Sequence, residues 1–202
     1  SPIYYLISHL SSKLPRSFYF LPTLQVARRL LGQLIVRKYL GKTLVGRIVE
    51  VEAYRGSLDP ASHAYRGRTE RNDVMFWEGG HLYVYFTYGM HYCANVVTQR
   101  AGTAEAVLIR GVEPVRGMET MRKLRGNEID DTKLTNGPAK FCEAFGIKRP
   151  QNGTNLLGNE IYLLRGSPLR SSSIGVSTRV GIRNGTDKKW RFFEKGNRWV
   201  SK

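Results

Sequence analysis

The segment LIVRKYLGKTLVGRIVEVEAY, residues 34–54, predicts two consecutive β-strands that are joined through Gly41. In its second half, apolar residues occupy one face and Glu50, Glu52 and Tyr54 occupy the other, because successive side chains of a strand point to opposite faces. Glu52 and Tyr54 are therefore expected to project in the same direction from one rigid strand.

Helices are predicted in three places by apolar residues at helical spacing and by signals at the helix ends. The first begins with Thr23 as its N-cap and ends before Gly32, which stands where a C′ residue should. The second covers PVRGMETMRKLRG, residues 114–126, and the third covers GPAKFCEAFG, residues 137–146.

The other predicted strands begin with a hairpin. HLYVYFTYGMHYCANVVTQ, residues 81–99, alternates as strands do, and the chain reverses at Tyr88 and Gly89, where Gly89 can take a positive φ. Further strands are predicted at residues 104–114, 159–165, 173–183 and 190–196. Together these elements predict one α+β domain with a mostly antiparallel curved sheet, flanking helices and a protruding hairpin. Residues 1–17 are interpreted as an N-terminal extension and residues 18–202 as the domain.

The composition points to a polyanionic partner. Lys and Arg total 32 against 16 Asp and Glu in 202 residues, which gives a formal charge of +16. Solubility does not require such a surplus, so nucleic acid is the first candidate partner and an anionic membrane the weaker second. The sequence contains no apolar run long enough to cross a bilayer. Cys93 and Cys142 form no paired motif, which favours a reducing intracellular compartment.

Glu52 is the candidate for acid–base chemistry. A carboxylate that is partly desolvated at a strand end, beside Tyr54, can serve as a general base that activates water. Glu50 shares its face and is either a partner or a neighbour.

Tyrosines also cluster around the predicted hairpin tip, at Tyr83, Tyr85, Tyr88 and Tyr92. Aromatic side chains on a basic surface suit stacking on bases, and a bulky residue at a hairpin tip can wedge between base pairs.

Metal and nucleotide sites are not indicated. His63, His81 and His91 lie near Cys93 in sequence, but without the paired spacing of structural zinc sites. The chain has no phosphate loop, no dinucleotide-binding fingerprint and no serine-hydrolase elbow. RGRTER, residues 66–71, suits contact with phosphates. These residues describe either an enzyme that acts on a nucleic-acid base or a binding module.

Four motifs, in order along the chain, resemble the alkyladenine (3-methyladenine) DNA glycosylase family. They are GRIVEVEAYRG at 46–56, DPASH at 59–63, RTERNDVMF at 68–76 and LYVYFTYGMHYCANVV at 82–97. The resemblance runs from about Phe20 to the closing RFFEKGNRWVS, so residues 18–202 are expected to be a DNA glycosylase domain. It implies that a damaged purine is flipped out of the duplex and released by hydrolysis of its N-glycosidic bond.

The resemblance also implies catalytic roles for three residues. Glu52 would be the general base that deprotonates the attacking water. Arg110 would help to hold that water, and the backbone carbonyl of Val180 would complete the water site. The chain has no evident nucleophilic lysine beside Glu52, so a monofunctional enzyme without a cofactor or metal is expected, which leaves an abasic site.

The remaining roles concern the base and the DNA. Tyr54 would stack on one face of the flipped base, and His63 and Tyr85 would lie against the other. Asn95 would crowd the exocyclic amino group of guanine, and Tyr88 would be the wedge that fills the vacated stack. Contacts to the DNA backbone are predicted for Arg68, Thr69, Arg71 and Tyr83.

Three departures from the family pattern lie next to this site. Val51, Arg55 and Ser57 differ from residues common among relatives, and they bear on the range of substrates. The expected partner is double-stranded DNA with damaged purines, bound by a monomer inside the cell, with no membrane partner. The alternatives are a non-catalytic DNA- or RNA-binding module of the same fold and an enzyme that acts on RNA.

Overall fold

The segment 34–54 forms the two antiparallel strands that its alternation predicts. β1 is Leu34–Tyr39 and β2 is Lys42–Arg55, and they pair directly with each other. Gly41 lies between them at a φ of 73°, in the left-handed region that favours glycine. The computed structural model describes residues 12–87 and 89–201.

The strands of the described residues form an eight-stranded sheet in which every pair is antiparallel. Those after β2 are β3 (Leu82–Thr87), β4 (His91–Thr98), β5 (Glu105–Arg116), β6 (Ile161–Leu164), β7 (Ile174–Ser177) and β8 (Arg191–Glu194). The main order is β3-β4-β5-β2-β1-β6, and β8 joins β2 to β7. The α+β architecture, the antiparallel sheet and the β3–β4 hairpin are thereby confirmed, with Gly89 at a φ of 68° in the hairpin connection.

Short helices flank the sheet. The α-helices are α1 (Arg16–Tyr19), α2 (Thr23–Leu30), α3 (Met118–Arg125) and α4 (Pro138–Ala144). Single turns of 3₁₀ helix cover Gly56–Leu58, Asp131–Lys133, Arg149–Gln151 and Ser171–Ser173, and a longer one covers Glu70–Phe76. Side chains of α2 and α4 pack with those of β2, β4 and β5 in one large apolar core. Within residues 12–87 and 89–201, no helix is both long and apolar enough to span a bilayer.

Two predictions about element ends were wrong. Pro22, whose ψ of 133° is not helical, is the N-cap, and Thr23 is the first residue of α2, with its hydroxyl hydrogen-bonded at 2.8 Å to the hydroxyl of Thr98. Val115 was assigned to a helix, but it belongs to β5, which stays paired with β2 as far as Arg116. The helix begins only after Gly117, whose φ of 86° turns the chain.

The predicted strand at 173–183 was also too long. Only Ile174–Ser177 forms β7, and the chain then leaves the sheet. Arg179 is the reason, since its guanidinium is drawn into a buried ion pair with Asp59 of the loop that follows β2. In the segment interpreted as an extension, residues 12–17 are described, and Leu14 is buried with its N–H bonded to the carbonyl of Leu163.

A second, smaller apolar cluster supports the segment between β2 and β3. It consists of Ala64, Val74, Met75, Tyr83, Val97, Ala104 and Ala106. This cluster fixes the loop that carries His63 and the 3₁₀ helix Glu70–Phe76 against β3 and β4. The loop after β2 therefore lies beside the hairpin, and the candidate site lies between them.

Candidate active site

Glu52 and Tyr54 project to the same side of β2, as the alternation predicts. The hydroxyl of Tyr54 donates a hydrogen bond of 2.8 Å to Glu52 Oε2. Glu52 is fully buried, with 0% of its surface exposed, whereas Tyr54 is only half-buried and faces a cavity. The strand thus places a desolvated carboxylate directly behind an accessible aromatic ring.

Three groups stabilise the ionised form of Glu52. The backbone N–H of Val180 donates to Oε1 at 2.7 Å, the Tyr54 hydroxyl donates to Oε2, and a guanidinium nitrogen of Arg110 lies 3.4 Å from Oε1. Burial nevertheless dominates and raises the pKa of Glu52 above its usual 4.5, while Arg110, the Val180 N–H and Tyr54 act in the opposite direction. A carboxylate with a raised pKa directly behind the residues of a pocket wall is suited to accept a proton.

Glu50 anchors Arg110. It is fully buried, and its Oε1 accepts hydrogen bonds from Arg110 Nε at 3.1 Å and from Arg191 Nε at 2.7 Å. The N–H of Ser201 donates to its Oε2 at 2.6 Å. Arg110 contacts both carboxylates, and the register shift between Glu50 and Val51 leaves it without a paired residue on β2. With these donors in place, Glu50 is a fixed counter-ion that orients Arg110 beside Glu52.

A cavity of about 440 Å³ opens in front of this cluster. Its wall contains seven of the residues that were predicted from the sequence: Tyr54, His63, Tyr83, Tyr85, Asn95, Arg110 and Val180. The His63 and Tyr85 rings meet edge to face, with centroids 4.4 Å apart and an interplanar angle of 75°. The volume is in the range of small-ligand pockets, which is roughly 300–1,000 Å³. Aromatic walls around such a volume suit a planar heterocycle.

His63 is oriented by neighbours that sequence reasoning did not connect to it. Its Nδ1 lies 3.1 Å from the Tyr83 hydroxyl, and the Asn72 side chain donates to its carbonyl at 2.9 Å. Desolvation by the cavity wall, with a further contribution from Arg71, lowers the pKa of His63 and so favours the neutral imidazole. Tyr83 was predicted to contact the DNA backbone, but it is 1% exposed and bonded to His63, so it belongs to the pocket.

Asn95 lies in the cavity wall on β4 and is 4% exposed. Its side-chain amide donates to the carbonyl of Tyr83 at 3.2 Å across the hairpin. This bond fixes the orientation of the amide, so a rigid polar group faces whatever occupies the cavity. Rigid polar groups discriminate by leaving wrong partners unpaired or in steric conflict.

The other three predicted backbone contacts lie on the exposed segment that precedes β3 in the chain. Arg68 is bonded to Asp73 at 2.6 Å, and Arg71 donates to the carbonyl of Phe86 at 3.1 Å. The Thr69 hydroxyl accepts from the N–H of Asn72 at 3.4 Å and caps the 3₁₀ helix Glu70–Phe76. These three exposed side chains lie on a surface that phosphates can reach. Tyr88, the predicted wedge, lies outside the described residues.

Sequence reasoning missed one ion pair and part of the cavity wall. The pair joins Arg179 to Asp59, both with side chains 0% exposed. The additional wall residues include Met75, Cys93, Leu108, Ile182 and Arg183. Asp59 lies inside the DPASH motif and Arg179 directly precedes Val180, but no local pattern indicates that two residues so distant in sequence meet. In residues 12–87 and 89–201, no cluster of three or more His, Cys, Asp or Glu could hold a metal ion.

Comparison with known proteins gives a consistent match over nearly the whole chain. A family model described as Methylpurine-DNA glycosylase matches residues 17–198. A relative from Carboxydothermus hydrogenoformans is 51% identical over 190 residues, which cover 94% of this chain and 98% of the relative. Relatives from Chlorobaculum tepidum and Clostridium acetobutylicum are 45% and 46% identical, over 94% of this chain and 91% and 97% of their own lengths. All three carry the name "Putative 3-methyladenine DNA glycosylase".

Proposed function

The chain belongs to the methylpurine-DNA glycosylase family, whose members hydrolyse N-glycosyl bonds, and from this premise we propose that it excises alkylated, deaminated or etheno purines from duplex DNA. The reaction is the first step of base excision repair and leaves an abasic site. One observation carries the proposal: a fully buried carboxylate, Glu52, stands directly behind an aromatic-walled cavity. A purine in a duplex cannot reach such a cavity, so the damaged nucleotide is flipped out of the stack.

The flipped base is held by stacking. Tyr54 lies against one face, and the edge-to-face pair of His63 and Tyr85 closes the other. N-alkylated purines carry a positive charge, which strengthens their attraction to electron-rich rings. Neutral lesions such as hypoxanthine or etheno-adenine lack this positive charge, so the pocket selects them by shape and hydrogen bonding. The fixed amide of Asn95 conflicts with the exocyclic amino group of guanine and disfavours normal guanine.

The chemistry uses one water molecule and no cofactor. The water oxygen bonds to the sugar carbon C1′, the bond from C1′ to the purine nitrogen breaks, and its electron pair leaves with the base. The Glu52 carboxylate takes the proton of the water. Arg110 and the backbone carbonyl of Val180 hold the water, a role supported by their positions in the wall beside Glu52. The ionised carboxylate also stabilises positive charge that develops on the sugar.

The remaining contacts are to the duplex. The charge of +16 favours association with phosphates, and Arg68, Thr69 and Arg71 contact the DNA backbone beside the cavity. Tyr88, which lies between β3 and β4 in sequence, fills the space that the flipped nucleotide leaves. The protein acts as a monomer on double-stranded DNA, inside the cell where the DNA is. Val51, Arg55 and Ser57, beside Glu52 and Tyr54, adjust the range of lesions.

The test is product identification in water enriched in ¹⁸O. Duplex oligonucleotides that each carry one hypoxanthine, etheno-adenine or N-methylpurine are incubated with excess protein in the presence of a chelator. The account predicts free purine and an abasic strand whose C1′ carries the ¹⁸O label, as mass spectrometry detects. A binding module would bind the duplexes and release no base, and that outcome would refute the proposal.

A further inference from the structure

The ion pair between Asp59 and Arg179 is buried completely, with both side chains 0% exposed. The two guanidinium nitrogens donate to the two carboxylate oxygens at 2.5 and 2.8 Å, in the bidentate geometry of strong Arg–carboxylate pairs. The guanidinium also donates to the carbonyls of Ala53 at 2.9 Å and Gly185 at 3.3 Å. Nothing in the proposed reaction uses either side chain, yet these contacts fix the pair in place.

Each partner of the pair is attached to a different part of the site. Asp59 lies in the loop between Tyr54 and His63, and it accepts hydrogen bonds from the N–H groups of Arg55 at 3.2 Å and Ala61 at 3.1 Å. Asp59 therefore shapes the loop that carries the base-binding rings. The pair connects this loop to the segment after β7.

Arg179 acts at the opposite end of the connection. It directly precedes Val180, whose N–H donates to Glu52 at 2.7 Å. Its bond to the carbonyl of Ala53 ties the same segment to the residue beside Glu52 on β2. The guanidinium also lies over the Tyr54 ring, 4.7 Å from its centroid, and over the Trp190 ring at 5.1 Å. Arg179 thus contacts the surroundings of Glu52 and of the stacking ring at once.

We infer that Arg179 and Asp59 are positioning residues for catalysis, which hold the Val180 N–H on Glu52 and so couple the base-binding loop to the water-activating carboxylate. This inference rests on the proposed function. Neither residue contacts the base or the water. A buried ion pair contributes little net stability compared with well-packed apolar side chains, so its position between two functional segments is the property that distinguishes it.

The groups that face Glu52 come from four parts of the chain. Arg110 approaches from β5, Cys93 from β4, Glu50 and Tyr54 from β2, and the Val180 N–H from the segment after β7. Of the donors to Glu52, the Val180 N–H is the one that directly follows Arg179 in the chain, and Arg179 also packs on the ring of Tyr54. Because this N–H stabilises the ionised carboxylate, its withdrawal raises the pKa of Glu52 further. A general base must be ionised, so a variant in which the Val180 N–H has moved away from Glu52 loses base release at low pH before it loses base release at high pH.

The experiment measures single-turnover base release against pH for wild type, Arg179→Lys and Asp59→Asn. Lysine keeps the charge but loses the bidentate contact, and asparagine keeps the size but loses the charge. The acid limb is the pH range in which the rate rises as Glu52 becomes ionised. In both variants this limb is expected to move up by roughly one pH unit, so that the rate at a pH below the limb falls about tenfold. Above the limb the loss of rate is expected to be smaller than below it, because Glu52 is ionised there and only the altered base-binding loop lowers the rate.

The matched control is Arg37→Lys. Arg37 is also a buried arginine, paired with Glu160 at 2.5 Å, but it lies on β1 away from the cavity. Thermal unfolding shows whether all three variants fold. The control is expected to lower the unfolding temperature without moving the acid limb. If the Arg179 and Asp59 variants lose rate equally at every pH and keep the wild-type limb, the pair is merely structural and the inference is overturned.

A second measurement does not depend on activity. In ¹⁵N-labelled wild type, the shift of the Val180 amide is expected to follow the titration of Glu52, because the two are hydrogen-bonded. In Arg179→Lys this titration is expected to disappear from the amide. If wild type releases no base, the proposed function fails, and the amide still decides whether the pair positions Val180. An unchanged amide titration in Arg179→Lys would overturn the inference.

Discussion

Tyr54 donates a hydrogen bond of 2.8 Å to Glu52, which precedes it by two residues on the same strand. The ring proposed to stack on the damaged base and the carboxylate proposed to activate water are therefore fixed to each other through backbone and side chain. The hydroxyl and the ring of Tyr54 have separable functions, and substitutions can distinguish them.

Tyr54→Phe keeps the ring and removes the hydroxyl. A hydrogen bond to a charged group contributes about 1.5–3 kcal/mol, so its loss disfavours the ionised form of Glu52. Single-turnover base release is expected to fall roughly tenfold at a pH below the acid limb, with little change in half-saturating protein concentration. Tyr54→Leu, in contrast, should weaken binding of the flipped base, because stacking contributes about 1–3 kcal/mol. Equal effects of the two substitutions on half-saturation would contradict this separation.

Glu52→Gln should raise the stability of the fold at neutral pH. Burial raises the pKa of Glu52 in the folded protein above its usual 4.5. A carboxyl that binds protons more tightly when folded destabilises the fold as the pH rises from the unfolded pKa through the folded one. Glutamine cannot ionise, so the denaturant midpoint of the variant should exceed that of wild type at pH 8, and the difference should vanish at pH 4. A lower midpoint for the variant at pH 8 would show that folding does not raise the pKa of Glu52.

Asn95→Ala should relax discrimination against guanine. The amide of Asn95 is fixed by its bond to the carbonyl of Tyr83, so it cannot move away from an exocyclic amino group. Release of guanine from a G·T mismatch is expected to rise roughly tenfold, while release of hypoxanthine changes little. The reason is that one local steric conflict in a binding pocket changes discrimination between two substrates by about 10- to 200-fold. The rates of both substrates under single-turnover conditions provide the test. A parallel loss for both bases would instead assign Asn95 to packing.

Arg68→Ala and Arg71→Ala should weaken DNA binding in a salt-dependent way. Each phosphate contact contributes a slope of about one in a plot of log affinity against log salt concentration. Each substitution should therefore lower that slope by about one, for lesion-containing and undamaged duplexes alike. Lys123→Ala is the control, since Lys123 is an exposed lysine on α3, paired with Glu119, and α3 does not line the cavity. Slopes that stay the same in both arginine variants would remove these residues from the interface.

The parts of the site that were predictable are those set by local alternation. Glu52 and Tyr54 occupy one face of β2 because the side-chain period of a strand is two, and no tertiary information is needed for that. The hairpin was also predictable, because its alternating halves are interrupted by Gly89. Residue type and placement already suggested Glu52 as a general base, but the roles of Arg110 and Asn95 came from the family resemblance, since periodicity carries no information about chemistry.

The parts that were not predictable depend on contacts between distant residues. Asp59 and Arg179 are 120 residues apart in sequence, and neither has a local pattern that names its partner. Tyr83 alternates with its neighbours like an exposed residue, but the apolar cluster with Ala64 and Met75 covers it. Val115 fits a helical pattern, yet pairing with β2 keeps that part of the chain extended. In each case tertiary contacts override the local signal.

The most direct test of the central claim compares base release by wild type and Glu52→Gln on a hypoxanthine-containing duplex, at saturating protein and without metal or cofactor. Glutamine keeps the size of the side chain but cannot take the proton of the water. The account predicts a rate at least about 100-fold lower for the variant, with DNA affinity unchanged, since general bases contribute about 100- to 10,000-fold. Release by the variant at the wild-type rate would show that Glu52 is not the base that activates water.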